Sequence, residues 1–253
     1  MNDALIGHTG FVGSNLRAHG SYSGFYNSKN IGDIAGREYD CVVCSGVSAV
    51  KWMANKNPEQ DSADIKILLD CLDQVRAERF VLISTVDVYQ SPNGQTERDI
   101  PPDDHPEAYG RHRRAVERFV EARFPRHHII RLPGLFGPGL KKNAIYDMMH
   151  GNRVEMINPG GRFQWYAVAR LAADLASMRA QDLRLLNIAP EPLATHEIAE
   201  RFFPEAKLAA PTPNAPFYDI QTEHAALLGG TGGHHFDKAT VLVELGRYIA
   251  SGG

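Results

Sequence analysis

Apolar residues gather in short runs at positions 4–6, 24–26, 41–44, 80–83, 129–132 and 185–188, interrupted only by Arg131 and Asn187. Each run is too short for a helix and none alternates with polar residues, which is the pattern of strands covered on both faces. Between the runs the apolar period lengthens. A helix is predicted over 11–18, and a long one from 58 to about 76, where Ile65, Leu68, Leu69, Leu72 and Val75 share a face behind an Asn57-Pro58 start. Further helices are predicted over 109–123, with Val116, Phe119 and Val120, and over 168–178, 195–203 and 238–250, Thr195 serving as N-cap of the fifth. Strand and helix alternate, which predicts an α/β fold with a doubly wound, Rossmann-like parallel sheet.

After Leu132 the texture changes: Pro133, Gly134, Gly137, Pro138 and Gly139 crowd together, and Pro159-Gly160-Gly161 and the prolines between 211 and 216 follow. Loops dominate such stretches. The expected organisation is a dinucleotide-binding domain over 1–170, to which later segments return, and a small C-terminal substrate cap built from 134–165 and 190–253.

The 253 residues are 43% apolar, and 27 basic against 30 acidic residues leave a formal charge of −3. A disordered chain is excluded, and there is no general electrostatic pull toward nucleic acid or an anionic membrane. No apolar run approaches the roughly 18 to 20 residues of a membrane span, and no export signal opens the chain, so a cytoplasmic protein is expected. Three cysteines make no disulfide framework. Cys41 and Cys44 lie three apart in a strand, on opposite faces, and read as core residues; the histidines have no spacing that builds a metal site.

Gly7-His8-Thr9-Gly10-Phe11-Val12-Gly13 places glycines at i, i+3 and i+6 between the first strand and the first helix. Read on spacing alone it is either an ordinary turn or a phosphate loop. In the second case bare backbone admits a pyrophosphate and the helix N-terminus supplies amides. Farther on, Ser84-Thr85-Val86-Asp87-Val88-Tyr89 ends the fourth strand, where parallel sheets place ligands, and Tyr109-Gly110-Arg111-His112-Arg113 opens a helix. The i, i+4 spacing puts Tyr109 and Arg113 on one helix face.

These pieces, with Asn57-Pro58, Arg131-Leu132-Pro133-Gly134-Leu135-Phe136-Gly137-Pro138-Gly139 and Asn187-Ile188, resemble in order the extended short-chain dehydrogenase/reductase family, also called the NAD-dependent epimerase/dehydratase family. The resemblance spans nearly the whole chain. It implies an NAD(P)-dependent oxidoreductase, epimerase or dehydratase acting on a nucleotide-activated sugar, and a homodimer formed through the helices starting at Pro58 and Tyr109. It implies that Tyr109 is the general acid/base and that Thr85 hydrogen-bonds the same substrate oxygen. Where the family carries lysine four residues after the tyrosine, this chain has Arg113. A fixed cation about 5 Å away at an effective dielectric of about 20 favours phenolate by roughly 3 kcal/mol, about two pKa units, so arginine is expected to keep the electrostatic part of that role and to hydrogen-bond ribose hydroxyls. The same departure leaves open a non-catalytic NADP-binding regulatory or partner protein of the same fold.

Cofactor contacts are expected from Gly7, Thr9, Gly10, Phe11, Val12 and Gly13, from Cys44, Ser45 and Gly46, and from Ser84, Tyr109, Arg113, Pro133 and Leu135. The acidic residue that would bind a ribose 2′-hydroxyl after the second strand is missing. Ser28 and Lys29 stand in that segment, so NADP is favoured over NAD. Lys141, Lys142, Arg153 and Arg162 read either as a receiver of substrate diphosphate or as a solvated face. The usual acidic pair after Gln164-Trp165-Tyr166 is replaced by Ala169 and Arg170. Asp87, two residues after Thr85, shares its side on a regular strand, and reads either as a base beside the substrate or as a carboxylate accepting backbone amides at a strand end.

Overall fold

The computed structural model describes residues 2–253. In chain order the first elements are β1 (Asp3–Ile6), α1 (Phe11–His19), β2 (Gly24–Tyr26), β3 (Glu38–Cys44), α2 (Lys51–Lys56), α3 (Pro58–Leu72), β4 (Arg76–Thr85), α4 (Ala108–Arg123) and β5 (His127–Leu132). Then come β6 (Gly134–Phe136), α5 (Ala144–His150), β7 (Arg162–Phe163), β8 (Trp165–Ala167), α6 (Leu171–Ala180), β9 (Leu185–Asn187), β10 (Leu193–Ala194), α7 (Thr195–Phe202) and α8 (Lys238–Ala250). Six strands form one parallel sheet in the order β2-β1-β3-β4-β5-β9. The order reverses between β1 and β3, and the crevice outside the carboxyl ends of the strands at such a switch point is where this architecture binds ligands.

Alternate strand residues feed two cores. Leu5, Cys41, Val43 and Val81 face a layer that includes Leu16, Leu171 and Leu175, while Ala4, Ile6, Val42, Cys44, Phe80 and Leu82 face Leu68, Leu72, Val116 and Val120 of α3 and α4. Cys41 and Cys44 thus lie on opposite faces, and burial pushes both thiols up to about 11. The first core continues without a break into Tyr166, Leu193, Ile198, Leu245 and Tyr248, so the C-terminal segments share the sheet's apolar interior.

Several boundaries differ from the sequence expectation. α3 stops at Leu72 rather than near 76, because Val75 keeps the helical phase yet sits buried in the turn that feeds β4. β4 begins at Arg76, since it pairs with polar β3 from Glu38 onward and Arg76 meets the Glu38 carboxylate at 2.6 Å. A 3-10 turn, Val168–Arg170, precedes α6. Thr195 is the first helical residue of α7 and not its N-cap: its hydroxyl donates to Gly161 O at 2.9 Å, while the Glu197 carboxylate accepts from the Ala194 amide. Two helices, α2 and α5, were not foreseen.

Candidate active site

The glycine loop follows β1. Gly7 has φ +83, and a Cβ there would collide with the Ser45 carbonyl; one on Gly13 would collide with the carbonyl of Gly7. Both positions are glycine because backbone packs on backbone. Gly10 differs. It is exposed, it is the N-cap of α1 without any side-chain cap, and a Cβ there would meet no neighbouring heavy atom nearer than the Gly7 carbonyl at 3.3 Å. The first amides of α1 therefore lack a side-chain acceptor and lie beside exposed Thr9 and Gly10, a fit for the pyrophosphate of a dinucleotide.

Across the switch point, the Ser45 amide and hydroxyl both donate to Ile6 O at 2.9 Å, tying the end of β3 to β1. Cys44 turns into the core, leaving the backbone of Ser45 and Gly46 on the crevice side. Ser28 and Lys29 are exposed in the turn after β2, where the Asn27 carboxamide accepts from the Lys29 amide. Leu135 lies half-buried on β6, just after half-buried Pro133. The Ser84 hydroxyl points elsewhere: it donates at 2.6 Å to Glu117, which is fully buried and paired with Arg131.

Tyr109 stands in the first turn of α4, almost fully buried. Gly110 makes this possible, since a Cβ there would run into the Asp87 carbonyl and the His105 ring; without one, α4 presses onto the end of β4. The phenol lies near Thr85, whose hydroxyl acts to lower its pKa. β4 ends at Thr85, whose hydroxyl accepts from the Asp87 amide at 3.1 Å and caps a 3-10 turn over Val86–Val88. The regular strand expected to carry Thr85 and Asp87 on one side is thus broken by that turn, though the carboxylate still lies close enough to act on the phenol.

Arg113 lies behind the tyrosine. Its guanidinium carbon is 4.0 Å from the Tyr109 ring centroid, and its two terminal nitrogens grip Asp61 at 2.5 and 2.9 Å, one of them also donating to Ser48 O. Only 4% of the side chain is exposed. Burial pushes the Asp61 carboxyl up, but Arg113 and His112 hold it below its ordinary value. The expected two-unit depression of the phenol does not follow. Burial and the Asp87 charge raise Tyr109 above an ordinary tyrosine, outweighing Arg113, Thr85 and Lys51.

Sequence reasoning missed what surrounds Asp87. Lys51 Nζ lies 3.0 Å from Asp87 Oδ1 and 3.0 Å from Glu107 Oε2, and the Tyr218 hydroxyl donates to the same Asp87 oxygen at 2.9 Å. Asn55, one turn after Lys51 on α2, accepts from the Tyr109 amide at 2.9 Å. No local signal marked these residues. α2 is only six residues long, and Tyr218 is 131 positions from Asp87.

In the C-terminal half a cavity of about 430 Å³ is lined by Lys142, Asn143, Arg153, Asn158, Phe163 and Thr195, among others. Of the four basic residues expected there, Lys142 and Arg153 line it. Lys142 pairs with Asp147 at 2.8 Å; Arg153 holds φ +49, a left-handed conformation unusual for a residue with a side chain. Gln164 is turned inward, bonding Pro190 and Ile220, and Arg170 is paired with Glu244.

The family model described as the NAD dependent epimerase/dehydratase family matches residues 27–165, more than half of the chain. The chain belongs to that family. The match starts after the glycine loop and includes Thr85, Asp87 and Tyr109. Among solved structures, the chain is similar to a dTDP-4-dehydrorhamnose reductase from Bacillus anthracis in complex with NADP, at 17% identity over 99% of both chains with a TM-score of 0.77. It is similar also to a UDP-glucose 4-epimerase from Thermotoga maritima with UDP-glucose, at 13% identity over 99% of this chain and 98% of that one, TM-score 0.75. MoeE5 in complex with UDP-glucose and NAD matches at 15% identity over 99% and 98%, TM-score 0.72. At such identities the likeness is one of fold. No curated protein matches.

Proposed function

We propose that the protein is an NAD(P)-dependent oxidoreductase, epimerase or dehydratase acting on a nucleotide-activated sugar, and within that class a reductase or epimerase. The observation carrying this reading is the placement of buried Tyr109 near Thr85 at the carboxyl end of β4, the end of the sheet at which the uncapped N-terminus of α1 also lies. A nicotinamide cofactor supplies or takes the hydride when bound. Gly10 and the first amides of α1 would hold its pyrophosphate, and Ser28 and Lys29 would favour NADP over NAD. The Tyr109 phenol gives its proton to a substrate carbonyl oxygen on reduction and takes one back from the hydroxyl on oxidation, with Thr85 orienting that oxygen. Asp87 already accepts from Lys51 and Tyr218, which favours hydride and proton exchange at one carbon over the second proton abstraction that dehydration requires.

The cap segments 134–165 and 190–253 form the substrate side in this reading, with the cavity at Lys142 and Arg153 receiving the anionic nucleotide portion. The neighbouring structures hold UDP-glucose in two instances, which supports a nucleoside diphosphate there. A cytoplasmic homodimer belongs to the same proposal; exposed Ile67 on the outer side of α3 supports pairing through α3 and α4. The test is native mass spectrometry of purified protein for bound dinucleotide and sugar nucleotide, followed by turnover of a nucleotide-sugar panel by wild type and Tyr109→Phe. Cofactor binding without turnover of any sugar would establish the non-catalytic alternative.

A further inference from the structure

The residue at the family's lysine position is an arginine whose terminal nitrogens are both engaged by Asp61. Arg113 is gripped by Asp61 and Ser48 on one side and covered by the Tyr109 ring on the other. A second cation acts on the tyrosine from a different helix. Lys51 opens α2, and Asn55, four residues later on the same face, fastens that helix to the start of α4 by accepting the Tyr109 amide. The α2–α4 contact therefore places Lys51 and Tyr109 in fixed relation. The ammonium sits between the Asp87 and Glu107 carboxylates, with the Tyr218 hydroxyl 3.4 Å away.

We propose that Lys51 is a positioning residue for the acid/base: by neutralising and orienting Asp87 next to Tyr109, it shares with Arg113 the role that a single lysine on the tyrosine's helix fills in the family. The proposal rests on the role assigned above to Tyr109. The charged groups acting on that phenol are Asp87 from the end of β4, Arg113 from α4 and Lys51 from α2. Arg113 lowers the phenol more than Lys51 does, but only Lys51 also touches Asp87, the charge that raises it. Burial pulls Lys51 down, but Asp87, Tyr218 and Glu107 together raise it above an ordinary lysine, so it stays charged wherever the protein works. Glu107 is held below its ordinary value, with Lys51 and Asn55 outweighing burial. Removing Lys51 would leave Asp87 facing the phenol with only the Tyr218 hydroxyl as donor, making phenolate costlier.

The test needs neither substrate nor cofactor. 3,5-Difluorotyrosine installed at position 109 ionises at lower pH than tyrosine, and 19F NMR reads its midpoint in the full chain. Lys51→Met should raise the midpoint by about one unit or more, Lys51→Arg should leave it within about half a unit, and Lys51→Met with Asp87→Asn should return it toward wild type, because charge of both signs has then been removed. A structural role would not produce that reversal. An unmoved midpoint in Lys51→Met with unchanged circular dichroism overturns the proposal, as does a double variant no closer to wild type than the single one. Absence of sugar turnover by wild type would defeat the proposed activity while leaving this titration to be judged alone.

Discussion

The two ends of the crevice are built on opposite plans. At the α1 end the working surface is backbone: Gly7 and Gly13 have no side chains because main chain packs on main chain, and Gly10 leaves room for a ligand. At the Tyr109 end the surface is made of charged and hydroxylic side chains drawn from α2, the end of β4, α4 and the segment at Tyr218. A backbone site is altered by bulk and is insensitive to pH; a side-chain site is altered by removing one charge of a balanced set. The difference predicts how each end fails.

The largest effect is expected where both plans converge on turnover. Tyr109→Phe should lower the rate with a confirmed sugar nucleotide at least about a hundredfold while leaving dinucleotide affinity unchanged. Gly10→Val should do the reverse: dinucleotide binding, followed by NADPH fluorescence, should be lost while the melting temperature stays near wild type, because the added side chain enters ligand space. Gly13→Val should lower the melting temperature as well, since its side chain has only the Gly7 carbonyl to enter. Equal thermal penalties at Gly10 and Gly13 would show that the loop is packed throughout and would break the comparison.

A middle-sized effect concerns the ion pair behind the tyrosine. Arg113→Lys keeps a cation but loses the fork that serves both Asp61 oxygens and Ser48 O, so a loss of about 1–3 kcal/mol is expected, read by chemical denaturation. Because Asp61 is held below its ordinary 3.8, its contribution is present above that pH and fades as pH falls through the lower folded value. Wild type should therefore show an acid-side decline in stability below 3.8 that Asp61→Asn, already destabilised at neutral pH, lacks. A tolerated Arg113→Lys with an unchanged acid limb would return Arg113 to the active-site role expected from its spacing.

What could be read from the chain follows the same division. The six central strands were legible because each carries a short run that is mostly apolar, broken only by Arg131 in β5 and Asn187 in β9, and the glycine loop because its physics is local to seven residues. The polar starts of β3 and β4 were not, since Glu38 and Arg76 give no burial signal and only pairing with each other makes them strand. Tyr109, Thr85 and Asp87 could be named from motifs, but their setting could not. Whether Arg113 faces a ligand or Asp61 depends on a partner 52 residues away, and Lys51 and Tyr218 come to Asp87 through packing of α2 and the chain's C-terminal part. Spacing reports which residues share an element; it carries no information on which elements meet.

The smallest effect is expected at the rim. Lys29 is exposed in the turn after β2, and its amide, together with Asn27, already shapes that turn. If Ser28 and Lys29 receive a 2′-phosphate, NADP should bind more tightly than NAD at low salt, and Lys29→Ala should reduce that preference by about fivefold or less, the scale of a solvent-screened charge contact. Raising ionic strength should narrow the wild-type preference in the same direction, and the variant should respond less to salt. The glycine-loop contacts, being backbone amides around Gly10, should keep NAD binding nearly constant across both changes. Titrations of the two dinucleotides into wild type and Lys29→Ala at two salt concentrations decide the matter: equal wild-type affinities at low salt would remove the NADP preference, and the backbone end of the crevice would then be the whole of the dinucleotide's anchorage.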